Sequence, residues 1–248
     1  MSKKNKKERI DTLLVAGGLA DSLKQAQALV MAGLVVVGDQ RVSKASDEVS
    51  PDKAISLKTR GKYVSRGGEK LANALKLLQL EEKFRETTVL DIGASTGGFT
   101  DLLLSIGASR VIALDVGSNQ LAWKLRQDPR VVSLEKTDIR VFDPTPYGPF
   151  AWVVADISFN SLARLAPAIW QVGTAGSRFL LLVKPQFELP REDVPKGGVV
   201  TDAELREKAV MSALAVLEQV GFRLCGRADL EISGRKGNWE VMLYLHRD

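Results

Sequence analysis

The stretch Leu90-Asp91-Ile92-Gly93-Ala94-Ser95-Thr96-Gly97-Gly98-Phe99-Thr100 decides the fold. A β-branched, apolar run, Thr88–Ala94, leads into it, and a helical stretch, Thr100–Ile106, leaves it. A glycine-rich turn between a strand and a helix is where open α/β sheets hold nucleotides. Working outward, apolar runs recur at Arg110–Val116, Val131–Asp138, Ala151–Asp156 and Arg178–Lys184, with helical stretches at Asn119–Arg126 and Leu162–Trp170 between them. Strands apolar on both faces and alternating with helices imply a parallel sheet covered on both sides. Asp202–Gln219 reads as the longest helix, with Leu205, Ala209, Ala213, Val216 and Leu217 on one face. The last two strands, Arg223–Glu231 and Glu240–Leu245, lack a long helix between them and are expected to pair antiparallel. The proline-containing stretch Glu188–Gly198 reads as a long loop. The fold class is α/β: a Rossmann-like sheet, parallel except for its last strand.

Composition narrows the chemistry. The 248 residues are 45% hydrophobic and 26% charged, the balance of a globular chain long enough to bury a sizeable core. One Cys and one His exclude an internal disulfide and clustered Cys/His zinc sites, so no metal is expected. No run reaches the ~18 apolar residues of a spanning helix. The basic start is not followed by a long apolar segment or a small-residue cleavage site. The expectation is a cytoplasmic protein without a membrane partner. The residues do not set an oligomeric state.

The net charge of +5 is unevenly placed. Residues 1–70 hold 14 Lys/Arg against 8 Asp/Glu, and residues 71–248 hold 21 against 22. A positive field confined to the first quarter favours a polyanion, most simply nucleic acid, with salt-dependent binding. That quarter has its own pattern. Residues 8–20 read as a short helix, Ser22 as the N-cap of a second helix through Met31, and Gly33 as its stop. Leu34–Val37 reads as a strand, Gly38-Asp39-Gln40 as a turn, and Arg41-Val42 as the start of a second strand. The text at Arg9–Ser22 (RIDTLLVAGGLADS) and Ala26–Val37 (AQALVMAGLVVV) resembles the small RNA-binding module of ribosomal small-subunit protein four, pseudouridine synthases and tyrosyl-tRNA synthetases. The resemblance implies a small α+β RNA-binding domain, with Arg9, Ser22, Lys24, Arg41, Lys44, Arg60, Lys62 and Arg66 as candidate RNA contacts. The expected division is residues 1–60, a connector at 61–65, and a large domain at 66–248.

The glycine stretch is neither G-x-G-x-x-G nor a Walker loop. Asp91, just inside it, would oppose a pyrophosphate, which wants amide donors and positive potential. The same carboxylate suits a ligand carrying a cationic amino group and a sulfonium. Asp115 ends the second strand about twenty residues on, where an acidic side chain takes ribose hydroxyls. Asp138 ends the third strand and can accept from an adenine amino group. The constellation favours S-adenosylmethionine over NAD. The candidate cofactor residues are Asp91, Gly93, Ser95, Gly97, Gly98, Phe99, Asp115 and Asp138.

The acceptor follows by exclusion and then by resemblance. The D/N-P-P-Y/F motif of exocyclic nitrogen methylation is missing after the fourth strand, where the text is Val153-Val154-Ala155-Asp156-Ile157-Ser158-Phe159. Carbon methylation of cytosine needs a cysteine nucleophile, and Cys225 reads as a small core residue of a late strand. What remains on the carboxyl edge is Asp156 ending strand four and Lys184 ending strand five. If the last strand lies antiparallel beside strand five, Glu240 joins them, and Lys70 can reach over from the helix before strand one.

Lys70, Asp156, Lys184 and Glu240 stand in the order of the K-D-K-E tetrad of ribose 2′-O-methyltransferases. With Ser65–Leu71 (SRGGEKL), LDIGASTGGFT and Leu182–Glu188 (LVKPQFE), the chain resembles the TlyA family, whose members join the small RNA-binding module to an FtsJ-like methyltransferase domain. The resemblance covers almost the whole chain from Arg9. It implies S-adenosylmethionine-dependent 2′-O-methylation of cytidine in ribosomal RNA, and it also carries the label of haemolysin. In this reading Lys184 is the general base or the cation beside the developing alkoxide, Lys70 supplies the neighbouring charge, and Asp156 and Glu240 orient the lysines. A membrane-acting cytolysin and a non-catalytic ribosome-assembly protein are the alternatives. The first lacks an amphipathic or spanning segment, and the second would predict a missing tetrad residue.

Overall fold

The computed structural model describes residues 7–31, 33–38, 40–57, 61–230 and 239–248. Asp39, Arg60 and Glu231 of the expected turn, RNA-binding set and strand lie outside the described residues. The chain divides into two compact units, Met1–Gly61 and Lys62–Asp248.

In the first unit, helices α1 (Ile10–Ala16) and α2 (Leu23–Met31) pack with strands β1 (Val35–Val37), β2 (Gln40–Arg41) and β3 (Ile55–Leu57). The strands run antiparallel in the order β2-β1-β3. A two-residue ladder also joins Glu8–Arg9 to Glu48–Val49. Ile10, Leu14, Ala26, Val30, Val35 and Val37 close the core. Ser22 caps α2 by accepting from the Gln25 amide at 3.2 Å. Gly33, at φ +63°, ends the helix in the left-handed conformation a glycine adopts freely. Asp11 is 1% exposed inside this unit. It accepts from Arg9 Nη2 at 2.6 Å, the Thr12 amide at 2.9 Å and Gln27 at 3.3 Å. Arg9 above all holds its carboxyl down at about 2.

The second unit holds α3 (Arg66–Leu78), β4 (Thr88–Ile92), α4 (Gly98–Ser105), β5 (Arg110–Leu114), α5 (Trp123–Arg126), β6 (Val131–Leu134), β7 (Trp152–Ala155), α6 (Leu162–Val172), β8 (Arg178–Val183), α7 (Pro185–Glu188), α8 (Ala203–Val220), β9 (Arg223–Leu230) and β10 (Glu240–His246). The seven strands form one sheet in the order β9-β10-β8-β7-β4-β5-β6. The five central and right-hand strands are parallel, and β10 pairs antiparallel with both β8 and β9. Alternate residues feed two cores, as a strand's two-residue period requires. Val89, Val111, Trp152, Val154 and Leu180 pack toward Leu71, Leu75 and Leu103 of α3 and α4. Leu90, Ile112, Val153, Phe179 and Leu181 pack toward Leu165, Ile169, Leu214 and Leu217 of α6 and α8. From β4 the chain goes one way to β5 and β6, then crosses to β7 on the other side. The crevice at the carboxyl ends of β4 and β7 is the topological switch point, where such sheets bind ligands.

Several local expectations need correcting. The helix expected at residues 8–20 covers only Ile10–Ala16, with Glu8 and Arg9 in the short ladder, and the third strand of the large domain stops at Leu134, short of Asp138. The helix expected at Asn119–Arg126 shrinks to α5, because the Glu135 carboxylate accepts the Asn119 and Gln120 amides at 2.8 and 3.2 Å and holds Asn119 at φ +57°. The stretch Glu188–Gly198 is partly ordered, with the end of α7 and a 3₁₀ turn at Arg191–Asp193. Cys225 is exposed, not a core residue. It sits at a bulge in edge strand β9, where the register against β10 shifts between Leu224 and Gly226.

Candidate active site

Strand ends deliver the tetrad to one edge. Asp156 directly follows β7, and its amide donates to the Ile92 carbonyl at 3.0 Å, which pins it beside β4. Lys184 directly follows β8, and Pro185 ends the strand by opening α7. The antiparallel pairing of Val183 with Val241 sets Glu240, the first residue of β10, next to Lys184. Lys70 comes from the second turn of α3.

The four side chains form one ion-pair network. Lys184 Nζ stands 2.5 Å from Asp156 Oδ1, Lys70 Nζ 2.7 Å from Glu240 Oε2 and 3.9 Å from Asp156 Oδ2. Lys184 and Glu240 are 6% and 5% exposed. Burial pushes the Glu240 carboxyl above its ordinary value, against the pull of Lys70. Such burial is tolerable only because each charge has an opposite neighbour. The Ser158 hydroxyl, which the sequence reading did not single out, accepts from Lys184 Nζ at 2.7 Å.

Two adjoining cavities open beside the network. One, about 190 Å³, is lined by Ser65, Gly67, Lys70, Asp91, Gly93, Gly98, Phe99 and Lys184 among others. The other, about 540 Å³, is lined by Leu114, Asp115, Val116, Gln120, Asp138, Ile139 and Phe159 among others. Gly93, Ser95, Asp156 and Ser158 line both. Thr100 Oγ1 donates to Asp91 Oδ2 at 2.6 Å, while Asp91 Oδ1 is buried with no hydrogen-bond partner. Burial pushes the Asp91 carboxyl up to about 7. Gly67 and Gly98, from the first turns of α3 and α4, bring helix amino-terminal amides to the same cavity. An unpartnered carboxylate oxygen for a cation and helix amides for an anion together suit the zwitterionic end of an amino acid. The residues present fit the methionine portion of S-adenosylmethionine.

The remaining candidate cofactor residues divide. Asp115 lines the larger cavity and already accepts the amides of Ser95 at 2.8 Å and Gly117 at 2.7 Å, bracing the glycine loop. Asp138 caps the 3₁₀ turn after β6 by accepting the Arg140 amide at 2.9 Å, and its ion pair with Arg140 holds it at about 2. Gly93 answers to its neighbour: at φ +78°, a Cβ there would come within 2.7 Å of the Asp156 carbonyl oxygen. Gly97 lines neither cavity, and a Cβ on it would strike Leu125 and Leu121. Thr100, Gln120 and Phe159 were missed. Phe159 is 93% exposed at φ +64°, its ring 5.7 Å from that of Phe187. An apolar residue in a left-handed conformation at a strand end could have drawn notice only once the strand end was placed.

Among the candidate RNA contacts, Arg9 is tied to Asp11 and the Ser22 hydroxyl caps α2. Lys24 and Lys44 are exposed, and Arg41 lies in β2. Lys62, over the Tyr63 ring at 5.4 Å, and exposed Arg66, opening α3, belong to the second unit. No described helix is long and apolar enough to cross a membrane.

Comparison with known proteins agrees with this architecture. The FtsJ-like methyltransferase family matches residues 63–247 and the S4 domain matches residues 8–55. The 16S/23S rRNA (cytidine-2′-O)-methyltransferase TlyA of Mycobacterium tuberculosis is 41% identical over 97% of this chain and 90% of its own. Hemolysin A of Brachyspira hyodysenteriae is 38% identical over 96% of this chain and 99% of its own. A solved hemolysin-labelled protein of Streptococcus thermophilus superposes with a TM-score of 0.73 at 39% identity, over 98% of this chain and 89% of that one. Likeness of this degree along nearly the full length settles the kinship: the chain belongs to the TlyA family of FtsJ-like methyltransferases that carry an S4 domain.

Proposed function

We propose that this methyltransferase uses S-adenosylmethionine to methylate a ribose 2′ hydroxyl, that of a cytidine in ribosomal RNA. The observation that carries the proposal is the buried Lys184 held against Asp156 at the carboxyl edge of the sheet, with Lys70 and Glu240 beside it. S-adenosylmethionine supplies an electrophilic methyl group on a sulfonium. A ribose hydroxyl is a weak acid and must give up its proton as it attacks. Lys184 takes that proton or faces the oxygen as its charge develops. Lys70 adds positive potential, and the two carboxylates keep the lysines in place and limit their repulsion. Asp91, with its unpartnered oxygen, would hold the cofactor's amino group, and Asp115 and Asp138 border the space for its nucleoside. Exposed Phe159 offers a face on which an unstacked base can lie. The cytidine and the ribosomal substrate follow the named relative, and a cytoplasmic location is consistent with an RNA substrate. Residues 1–60 supply RNA affinity and residues 66–248 the chemistry, joined by residues 61–65.

The test is transfer of tritiated methyl from S-adenosylmethionine to ribosomal RNA, with the modified nucleoside identified by mass spectrometry. A 2′-O-methylcytidine made by the native protein and lost in Lys184→Ala, with cofactor affinity kept, is the expected result. A base-methylated product, or near-normal turnover in Lys184→Ala, refutes it.

A further inference from the structure

Lys184 lies at the bottom of the site, yet the residue that shares its nitrogen with Asp156 is exposed Ser158 at the mouth. Asp156 Oδ1 meets Nζ as an ion pair at 2.5 Å without hydrogen-bond geometry, and among the described residues the Ser158 hydroxyl, at 2.7 Å, is the one hydrogen-bond acceptor on that nitrogen. The nitrogen is tetrahedral, and a neutral amine has two N–H donors and one lone pair. The hydrogen bond to Ser158 fixes one N–H and stops the amine from turning freely about its carbon–nitrogen bond, with the ion-paired Asp156 and the cavity that Lys184 lines on its other sides. Without the hydroxyl no directed bond holds the amine, and its N–H groups and lone pair exchange places.

We infer that Ser158 is a positioning residue of the methyl transfer: its hydroxyl oxygen takes an N–H of Lys184 and so holds the lone pair toward the acceptor hydroxyl. The inference rests on the proposed role of Lys184. In the step, the ribose hydroxyl proton passes to the Lys184 lone pair as the new oxygen–carbon bond forms. The sulfur–carbon bond of the cofactor breaks, and its electron pair stays on sulfur. The lysine leaves the step as an ammonium, still donating to Ser158 and ion-paired with Asp156. The hydroxyl also explains why a polar residue stands where both cavities meet, although Ser158 has no other hydrogen bond among the described residues.

The experiment compares native protein, Ser158→Ala, Ser158→Thr, Lys184→Ala and the Ser158→Ala/Lys184→Ala pair as full-length chains. Tritiated methyl transfer to ribosomal RNA gives kcat and KM, and calorimetry gives the Kd for S-adenosylmethionine. Loss of one oriented hydrogen bond predicts a kcat lower by about tenfold in Ser158→Ala. KM for RNA and Kd for the cofactor should stay within about twofold, and Ser158→Thr, which keeps the hydroxyl, should recover most of the rate. In the Lys184→Ala background the second substitution should add nothing, since there is no amine left to orient. An unchanged kcat in Ser158→Ala, a threonine no better than alanine, or a change confined to KM or Kd overturns the inference. If Lys184→Ala itself is active, the reading of Lys184 has failed; if it is dead while Ser158→Ala is normal, only the role of Ser158 has.

Discussion

Asp91 ties cofactor affinity to pH in a way that can be worked out beforehand. Its carboxyl is fully buried, pushed up to about 7 by that burial, and one oxygen has no partner. In the free protein near pH 6, about nine in ten of these carboxyls carry a proton. A cationic amino group binds the charged form, so below the free-protein value a proton must leave as the cofactor enters. Raising the pH from 6 to 8 should therefore tighten the Kd for S-adenosylmethionine about tenfold, or about 1.4 kcal/mol. Calorimetry in two buffers of different ionisation enthalpy should count about 0.9 proton released per cofactor at pH 6 and about 0.1 at pH 8. Asp91→Asn should bind more weakly and lose this part of the pH dependence, which separates it from titration of the cofactor's own amino group. The same burial has a stability consequence of fixed sign. A carboxyl raised above its unfolded value favours folding most when protonated, so its contribution falls as the pH rises through 7. At pH 8, Asp91→Asn should stabilise the ligand-free protein, by no more than about 4 kcal/mol. A native Kd that is flat between pH 6 and 8, with no proton released, refutes the reasoning.

Three other outcomes are expected. Asp11→Ala should destabilise the first unit by about 1–2 kcal/mol at neutral pH, because Asp11 is held at about 2 by Arg9; the depressed carboxyl contributes above its unfolded value, so chemical denaturation of native and variant should converge as the pH falls toward 2. Deleting residues 1–60 should raise the RNA concentration needed in a titration and flatten its salt dependence by about one unit for each phosphate no longer neutralised, with cofactor binding little changed; equal slopes would remove the first unit as the RNA anchor. Gly93→Ala should cost about 2–3 kcal/mol in thermal unfolding and abolish methyl transfer, since it meets both a positive φ and the Asp156 carbonyl.

Much of the architecture was legible because its signals are local. Runs such as Arg178–Val183, apolar on both faces, declare central parallel strands, and Asp156 and Lys184 stand directly after two of them. Glu240 became legible only by assuming the antiparallel neighbour that β10 proves to be. What stayed hidden depends on partners distant in sequence. Ser158 becomes meaningful through Lys184, 26 residues on. The shortening of α5 depends on Glu135, and the exposure of Cys225 on the register between β9 and β10. The sequence reading places Gly97 among the candidate cofactor residues. In the fold it makes room for Leu121 and Leu125, a demand that composition and spacing cannot distinguish from that of a ligand.

The close approach of Gly93 to the Asp156 carbonyl, too tight for any side chain, sets a limit on redesign. The loop that faces the cofactor and the strand end that carries the chemistry are fitted backbone to backbone. A loop transplanted from a nucleotide-binding enzyme of another specificity would bring its own residue to this place. Unless that residue were also glycine, it would displace the end of β7, and Asp156 with it. Exchange of cofactor preference in this scaffold therefore calls for the loop and the neighbouring strand to be grafted as one cassette. For the same reason, chance substitutions in the loop would tend to silence the enzyme before they could retarget it.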